Sequence, residues 1–177
     1  MCTNFKYPTA TDGTVCVGRT MEFPNLIPWE LGVLAVKQDA QSEVVPNGMK
    51  WNSKYGVVGF SAFSNPQWYA DAMNTAGLSA HALYMPGYCT YYDPKNDGSD
   101  IGTMDVIAFV LGTCSTTTEA RAALGTCNVV NVTPKQMPIP LALHIVIHDK
   151  DSCVIAEFHP EGMQVVDNPV QVATNSP

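Results

Sequence analysis

Met1-Cys2-Thr3-Asn4-Phe5-Lys6-Tyr7 opens the chain, and Thr14-Val15-Cys16-Val17-Gly18 follows the pair Asp12-Gly13. Asp-Gly between two β-rich runs is the composition of a tight turn, so Cys2 to Tyr7 and Thr14 to Gly18 read as two strands around it. Further along, Leu31 to Lys37, Val57 to Phe63 and Leu78 to Met85 are apolar runs of strand length. Tyr88 to Asp100 is rich in Tyr, Asp, Gly and Pro and reads as a surface loop. The middle is helical: Met104 to Gly112 is apolar and free of proline. Ser115 to Thr118 offers hydroxyls for a helix cap, and Glu119 stands three residues after Thr116, as in a capping box. Glu119 to Leu124 favours helix, and Gly125 is its stop. Beyond Pro134 to Pro140, Leu141 to His148 and Cys153 to Phe158 flank an Asp149-Lys150-Asp151-Ser152 turn. Val165-Val166 and Val170 to Thr174 add two short strands. Strands at both ends with helices between them make an α+β layered domain.

The composition narrows the function classes. The chain has 177 residues, enough for one domain over 1–177, with 46% hydrophobic and only 14% charged residues, against roughly 25% charged in an average soluble domain. It has ample material for a core and is not disordered. The formal charge of −7 argues against nucleic acid and against an anionic membrane surface, since both need a basic footprint. No apolar run approaches the ~20 residues needed to span a bilayer. The N-terminus lacks a basic stretch followed by an apolar one, so the default location is cytoplasmic. The six cysteines, Cys2, Cys16, Cys89, Cys114, Cys127 and Cys153, include no CxxC pair. They read as reduced thiols, mostly buried, with Cys2 a separate case.

A small second residue usually permits loss of the initiator Met, which would leave Cys2 with both a thiol and a free α-amine. The thiolate is the nucleophile, and an α-amine of ordinary pKa about 7.7–8.0 can take the thiol proton near neutral pH. By position alone Cys2 is an ordinary second residue. Its companions change that reading: Met1-Cys2-Thr3, Gly18-Arg19-Thr20-Met21-Glu22, Asp71-Ala72-Met73-Asn74-Thr75-Ala76-Gly77-Leu78, and Thr174-Asn175-Ser176-Pro177. Each block alone is weak. Together, in this order and spacing, they resemble the choloylglycine hydrolase family, which includes conjugated bile salt hydrolases and penicillin V acylases.

The resemblance implies an α+β, four-layer αββα N-terminal-nucleophile hydrolase fold, of which this chain covers the N-terminal half. It implies hydrolysis of linear amide C–N bonds other than peptide bonds. Cys2 matches the nucleophile; Arg19 matches an arginine beside the thiol; Glu22 stands where many members have Asp and would hold the α-ammonium. Asn74 and Asn175 match the asparagines that supply neutral donors to an oxyanion. Taken singly, Arg19 reads as a surface ion pair, Glu22 as a solvated carboxylate, Asn74 as a turn residue and Asn175 as a loop residue. Met21, Phe63 and Met137 are candidates for an apolar acyl pocket, with core packing as the competing reading. Thr20 stands where bile salt hydrolases often carry Asn, and a further family arginine beyond residue 177 has no counterpart.

No cofactor is expected. There is no HExxH pattern, and His144 and His148 fall on a strand, too far apart to chelate easily, so no metal is expected. No phosphate-cradling glycine motif occurs. The expected partner is a small-molecule amide with an apolar acyl side: a bile salt, penicillin V, an N-acyl amide or an acyl-homoserine lactone. Homo-oligomerisation stays open for a full-length parent. Two other readings stay open. One is a catalytically inactive fragment that needs its missing half, and the other is a redox or acyl-binding module with a merely reactive Cys2.

Overall fold

The first hairpin pairs Cys2 with Met21 and runs through to Lys6 opposite Val17, so β1 is Cys2–Lys6 and β2 is Val17–Met21. The second strand therefore starts three residues later than Asp12-Gly13 alone predicts. That shift puts Arg19 on the strand, directly opposite Asn4. In this computed structural model the described residues are 1–22, 27–42, 45–135, 137 and 141–176.

Beyond the hairpin come β3 (Trp29–Leu34), β4 (Asp39–Gln41), β5 (Lys50–Asn52), β6 (Val57–Ala62), β7 (Asn65–Asn74), β8 (Ser79–Tyr84) and β9 (Asp100–Gly102). Two helices follow, α1 (Val106–Thr113) and α2 (Thr117–Leu124). The chain then returns to strand with β10 (Asn128–Val130), β11 (Leu143–His148), β12 (Cys153–His159), β13 (Gly162–Asp167) and β14 (Val172–Ala173). Seven strands form an antiparallel sheet in the order β13-β12-β11-β8-β7-β6-β3. A second sheet has the order β14-β1-β2. Two-stranded pairs, β9 with β10 and β4 with β5, stand apart from both.

Alternation along the strands assigns the faces. Ala80 and Ala82 of β8, and Ile145 and Ile147 of β11, join Ile107 and Leu111 of α1 and Leu124 of α2 in the main core. The alternate residues Leu83 and Val146 meet Cys2 and Ala173 of the smaller sheet. The layers are thus helices, large sheet, small sheet. The α2 boundaries follow local chemistry: the Thr116 hydroxyl accepts from the Glu119 N–H at 3.1 Å, and the Glu119 carboxylate takes the Ser115 N–H at 2.7 Å. Tyr88 to Asp100 is loop as expected, apart from an isolated bridge between Tyr92 and Val130 and its last residue, which begins β9.

The longest strand, β7, escapes the apolar pattern. It opens with Asn65-Pro66, and a bulge opposite Phe60 and Ser61 breaks its alternation. It is joined to β6 by a two-residue turn, Phe63-Ser64, in which both residues have positive φ (59° and 57°). That is the geometry a type I′ hairpin asks for, and it costs a phenylalanine roughly 1–2 kcal/mol.

Candidate active site

Cys2 and Asn4 point from β1 toward the large sheet and are buried. Arg19, one strand over, lays its guanidinium across the gap. One terminal nitrogen lies 3.6 Å from the Cys2 sulfur and donates to the Ala82 carbonyl at 2.7 Å. The other terminal nitrogen pairs with the Asp71 carboxylate, and Nε donates to the Thr20 carbonyl at 3.0 Å. Burial works to raise the Cys2 thiol. The Glu22 backbone amide, the Arg19 charge and hydrogen bond, and the Asn175 amide outweigh it and hold the thiol below its ordinary value. Burial wins at the interior thiols: Cys89 and Cys114 are pushed up, and Cys127 and Cys153 reach about 12.

Asn175 sits just past β14, where β14 pairs with β1. Its Oδ1 accepts from the Cys2 backbone N–H, and its Nδ2 donates to the Tyr84 carbonyl. His144 braces the preceding residue, with Nε2 at 2.8 Å from the Thr174 carbonyl. Glu22, just past β2, is exposed and faces the Met1 ammonium, 3.2 Å from Oε2 and 3.3 Å from its own carbonyl. In the chain that keeps Met1, Glu22 therefore holds the first residue rather than the second.

Asn74 does not join this group, which corrects the sequence expectation. It is three residues from Asp71 on β7, so it faces the helices while Asp71 faces the small sheet. Its two amide hydrogens go to the Leu111 and Cys114 carbonyls at the end of α1, at 2.8 and 2.7 Å. Its Oδ1 accepts from Ala76 and Leu78, each at 3.0 Å, around a turn that Gly77 closes with φ +87°. The Met-Asn-x-x-Gly-Leu block is a turn motif that also caps a helix, and no donor of Asn74 remains for an oxyanion.

Beside Cys2 lies a partly open apolar cleft. Met21 and Phe63 line it together with Trp29, Tyr69 and Tyr84. Met137 does not: it is buried in the main core, so its role is packing. Sequence reasoning missed Asp71 and His81. Asp71 lies within a quoted block, but its partner Arg19 is 52 residues away, and only the fold joins them. Among the described residues no group of three or more His, Cys, Asp or Glu is arranged to hold a metal ion. No described helix is long and apolar enough to cross a membrane.

A cysteine at position 2, an arginine on its sulfur and an asparagine on its backbone nitrogen meet a family-wide match. The family of linear amide C–N hydrolases called the choloylglycine hydrolase family matches residues 2–177. The chain belongs to this family. It is 34% identical over 126 residues to the bile salt hydrolase/transferase of Lactiplantibacillus plantarum, covering 70% of this chain and 38% of that protein. It is 29% identical over 181 residues to the bile salt hydrolase/transferase of Clostridium perfringens, covering 100% of this chain and 54% of that protein. A crystal structure of a conjugated bile acid hydrolase variant from Clostridium perfringens superposes with a TM-score of 0.85 at 27% identity, over 100% of this chain and 54% of the other. A penicillin V acylase from Agrobacterium tumefaciens also gives 0.85 at 27% identity, over 99% and 53%. The fold is that of the N-terminal-nucleophile hydrolases, and the chain spans about half the length of these relatives.

Proposed function

We propose that the chain carries the nucleophile half of an enzyme that hydrolyses linear amide C–N bonds through Cys2. The observation that carries this reading is the Cys2 thiol, 3.6 Å from an Arg19 guanidinium nitrogen at the edge of an apolar cleft. Removal of Met1 turns the Cys2 nitrogen, now bonded to Asn175 Oδ1, into a free α-amine. That amine takes the thiol proton. The sulfur attacks the amide carbon, and the carbonyl electron pair moves onto oxygen. An Asn175 N–H is the donor the site offers to that oxyanion. The intermediate collapses to a thioester as the amine leaves with the proton. Water then adds to the thioester and releases a carboxylic acid and the thiol. Arg19 favours the thiolate, and Glu22 steadies the N-terminus.

The apolar lining of the cleft, with Met21 and Phe63 at its wall, fits an apolar acyl group. Bile salt, penicillin V, N-acyl amide and acyl-homoserine lactone substrates all meet that description. The decisive test combines intact mass with turnover of these four classes. The active chain is expected to lack Met1. Cys2→Ser is expected to keep the fold and lose most of the rate, at least about a hundredfold. Turnover that persists in Cys2→Ala, or in protein that retains Met1, sinks the mechanism.

A second reading has its own observation. Leu31, Val33, Val58, Phe60 and Met73 are exposed together on one sheet face. An inactive half-enzyme that needs a covering partner would present such a face. Full turnover by the purified, monomeric chain would remove that reading.

A further inference from the structure

We propose that His81 is a positioning residue for the Cys2 thiol, acting through Asp71 and Arg19. This rests on the reading of Cys2 as the nucleophile. Among the described residues the Asp71 carboxylate has two partners: Arg19 on one oxygen and His81 Nδ1 on the other, at 2.8 Å. Arg19 and His81 therefore set its orientation between them. His81 is itself fixed. It is buried on β8, its Nε2 lies 3.2 Å from the Ser79 hydroxyl, and its ring meets the His148 ring edge-on at 6.0 Å.

The chemistry of these contacts selects a tautomer. A carboxylate oxygen only accepts, so Nδ1 carries the hydrogen and donates it to Asp71. In the neutral ring Nε2 is then the acceptor, and the Ser79 hydroxyl donates to it. The result is a chain of contacts from Ser79 to His81, Asp71, Arg19 and the Cys2 sulfur. Arg19 has a fixed planar fork, so Asp71 on one nitrogen acts with the Ala82 and Thr20 carbonyls to set where the nitrogen facing the sulfur lies. Without the His81 donor, the carboxylate can turn toward solvent, and the fork loses the anchor on its far tine. The catalytic block around Arg19 does not contain this support; it comes from a strand of the other sheet, as supporting shells commonly do.

The test uses the purified chain with peptide-resolved alkylation of Cys2 by iodoacetamide across pH. His81→Leu removes the donor. His81→Asn keeps one, because its Nδ2 falls where His Nδ1 was. His81→Leu is expected to move the Cys2 midpoint up by about one pH unit and to lower kcat about tenfold with KM unchanged. His81→Asn is expected to restore both to within about threefold. A Cys2 midpoint unmoved in folded His81→Leu overturns the proposal, as does a His81→Asn variant no better than His81→Leu. Should both variants misfold, long-range ¹H–¹⁵N spectra of the unsubstituted chain decide: a proton on Nδ1 supports the proposal and one on Nε2 overturns it. The two readings part cleanly. A Cys2 midpoint that shifts in a chain without amide turnover upholds the role of His81 and removes the hydrolase reading. Amide turnover indifferent to folded His81→Leu removes His81 alone.

Discussion

At the scale of single residues, Asn74 and Asn175 look alike in sequence and do opposite work. Asn175 stands on the Cys2 nitrogen and the Tyr84 carbonyl. Asn74 stands on the far face of the large sheet, with all its hydrogen-bonding capacity spent on the backbone. Its amide accepts two N–H groups of the β7–β8 turn and feeds two carbonyls at the end of α1 that lie beyond the last intrahelical bond. Asn74→Ala therefore strands the buried Leu78 N–H and two buried carbonyls at once, while the exposed Ala76 N–H turns to water. A loss of about 2–4 kcal/mol in urea unfolding is expected, larger than for an average substitution. The pH profile of Cys2 alkylation should stay where it is. A normal stability with a displaced Cys2 profile would return Asn74 to the thiol's surroundings.

At the scale of elements, the interface between the two sheets is unusually polar. All four histidines of the chain, His81, His144, His148 and His159, sit on β8, β11 and β12 at positions whose side chains face the small sheet. Three of them hold it directly or through one neighbour. His81 reaches Arg19 of β2 through Asp71, and His144 reaches the Thr174 carbonyl. His148 Nε2 lies 2.6 Å from Asn4 Oδ1 on β1. Burial, helped by the Lys6 charge, lowers His148 from 6.5 to about 4, against a smaller opposing pull from Asp149. The unfolded chain takes up a proton at this position as pH falls through 6.5, and the folded chain only near 4. Stability from His148 is thus fully present above about pH 6.5 and is lost as pH falls toward about 4, by up to about 3 kcal/mol. Urea unfolding at about pH 7.5 and about pH 4.5 measures it, and His148→Gln should flatten that slope. An unchanged slope in His148→Gln would show that His148 is not the group responsible. Asp149, held at about 2 against burial by the Thr117 and Ser152 hydrogen bonds, acts in a separate window below about pH 3.8.

Elements also differ in how far they could be read beforehand. The α2 helix was legible because its cap, Thr116 with Glu119, is a contact between neighbours in sequence. The β11–β12 hairpin was legible for the same reason, its turn chemistry being local. The start of β2 was not, because its register is set by Cys2 opposite Met21 rather than by Asp12-Gly13. Nor was β7, whose proline, bulge and polar Asp71 all contradict a strand pattern locally and make sense only between β6 and β8. The site divides in the same way. Cys2, Arg19 and Asn175 were found through blocks of adjacent residues, whereas Asp71 and His81 matter only through contacts that the fold creates.

At the scale of the whole molecule, the small sheet covers only part of the large one. Leu83, Val146 and Ile155 lie beneath it. On β3, β6 and β7 the same side of the sheet stays open, with Leu31 opposite Phe60, Val33 opposite Val58, and Val58 opposite Met73. Exposure on this patch runs from 48% at Met73 to 70% at Leu31. Single exposed apolar side chains are ordinary, but a contiguous cross-strand patch beside the candidate active site is a surface that association would bury. The solved relatives are nearly twice as long, so their additional chain has room to do there what this chain does not. Residues 1–177 alone are therefore expected to self-associate as concentration rises, as read by light scattering after size exclusion. Leu31→Lys combined with Val58→Glu should suppress that association. The two sites are not cross-strand partners, and exposed substitutions of this kind cost only about 0.5 kcal/mol each. A chain that stays monomeric at all concentrations, with the double variant indistinguishable from it, would mean that the open face is tolerated in water.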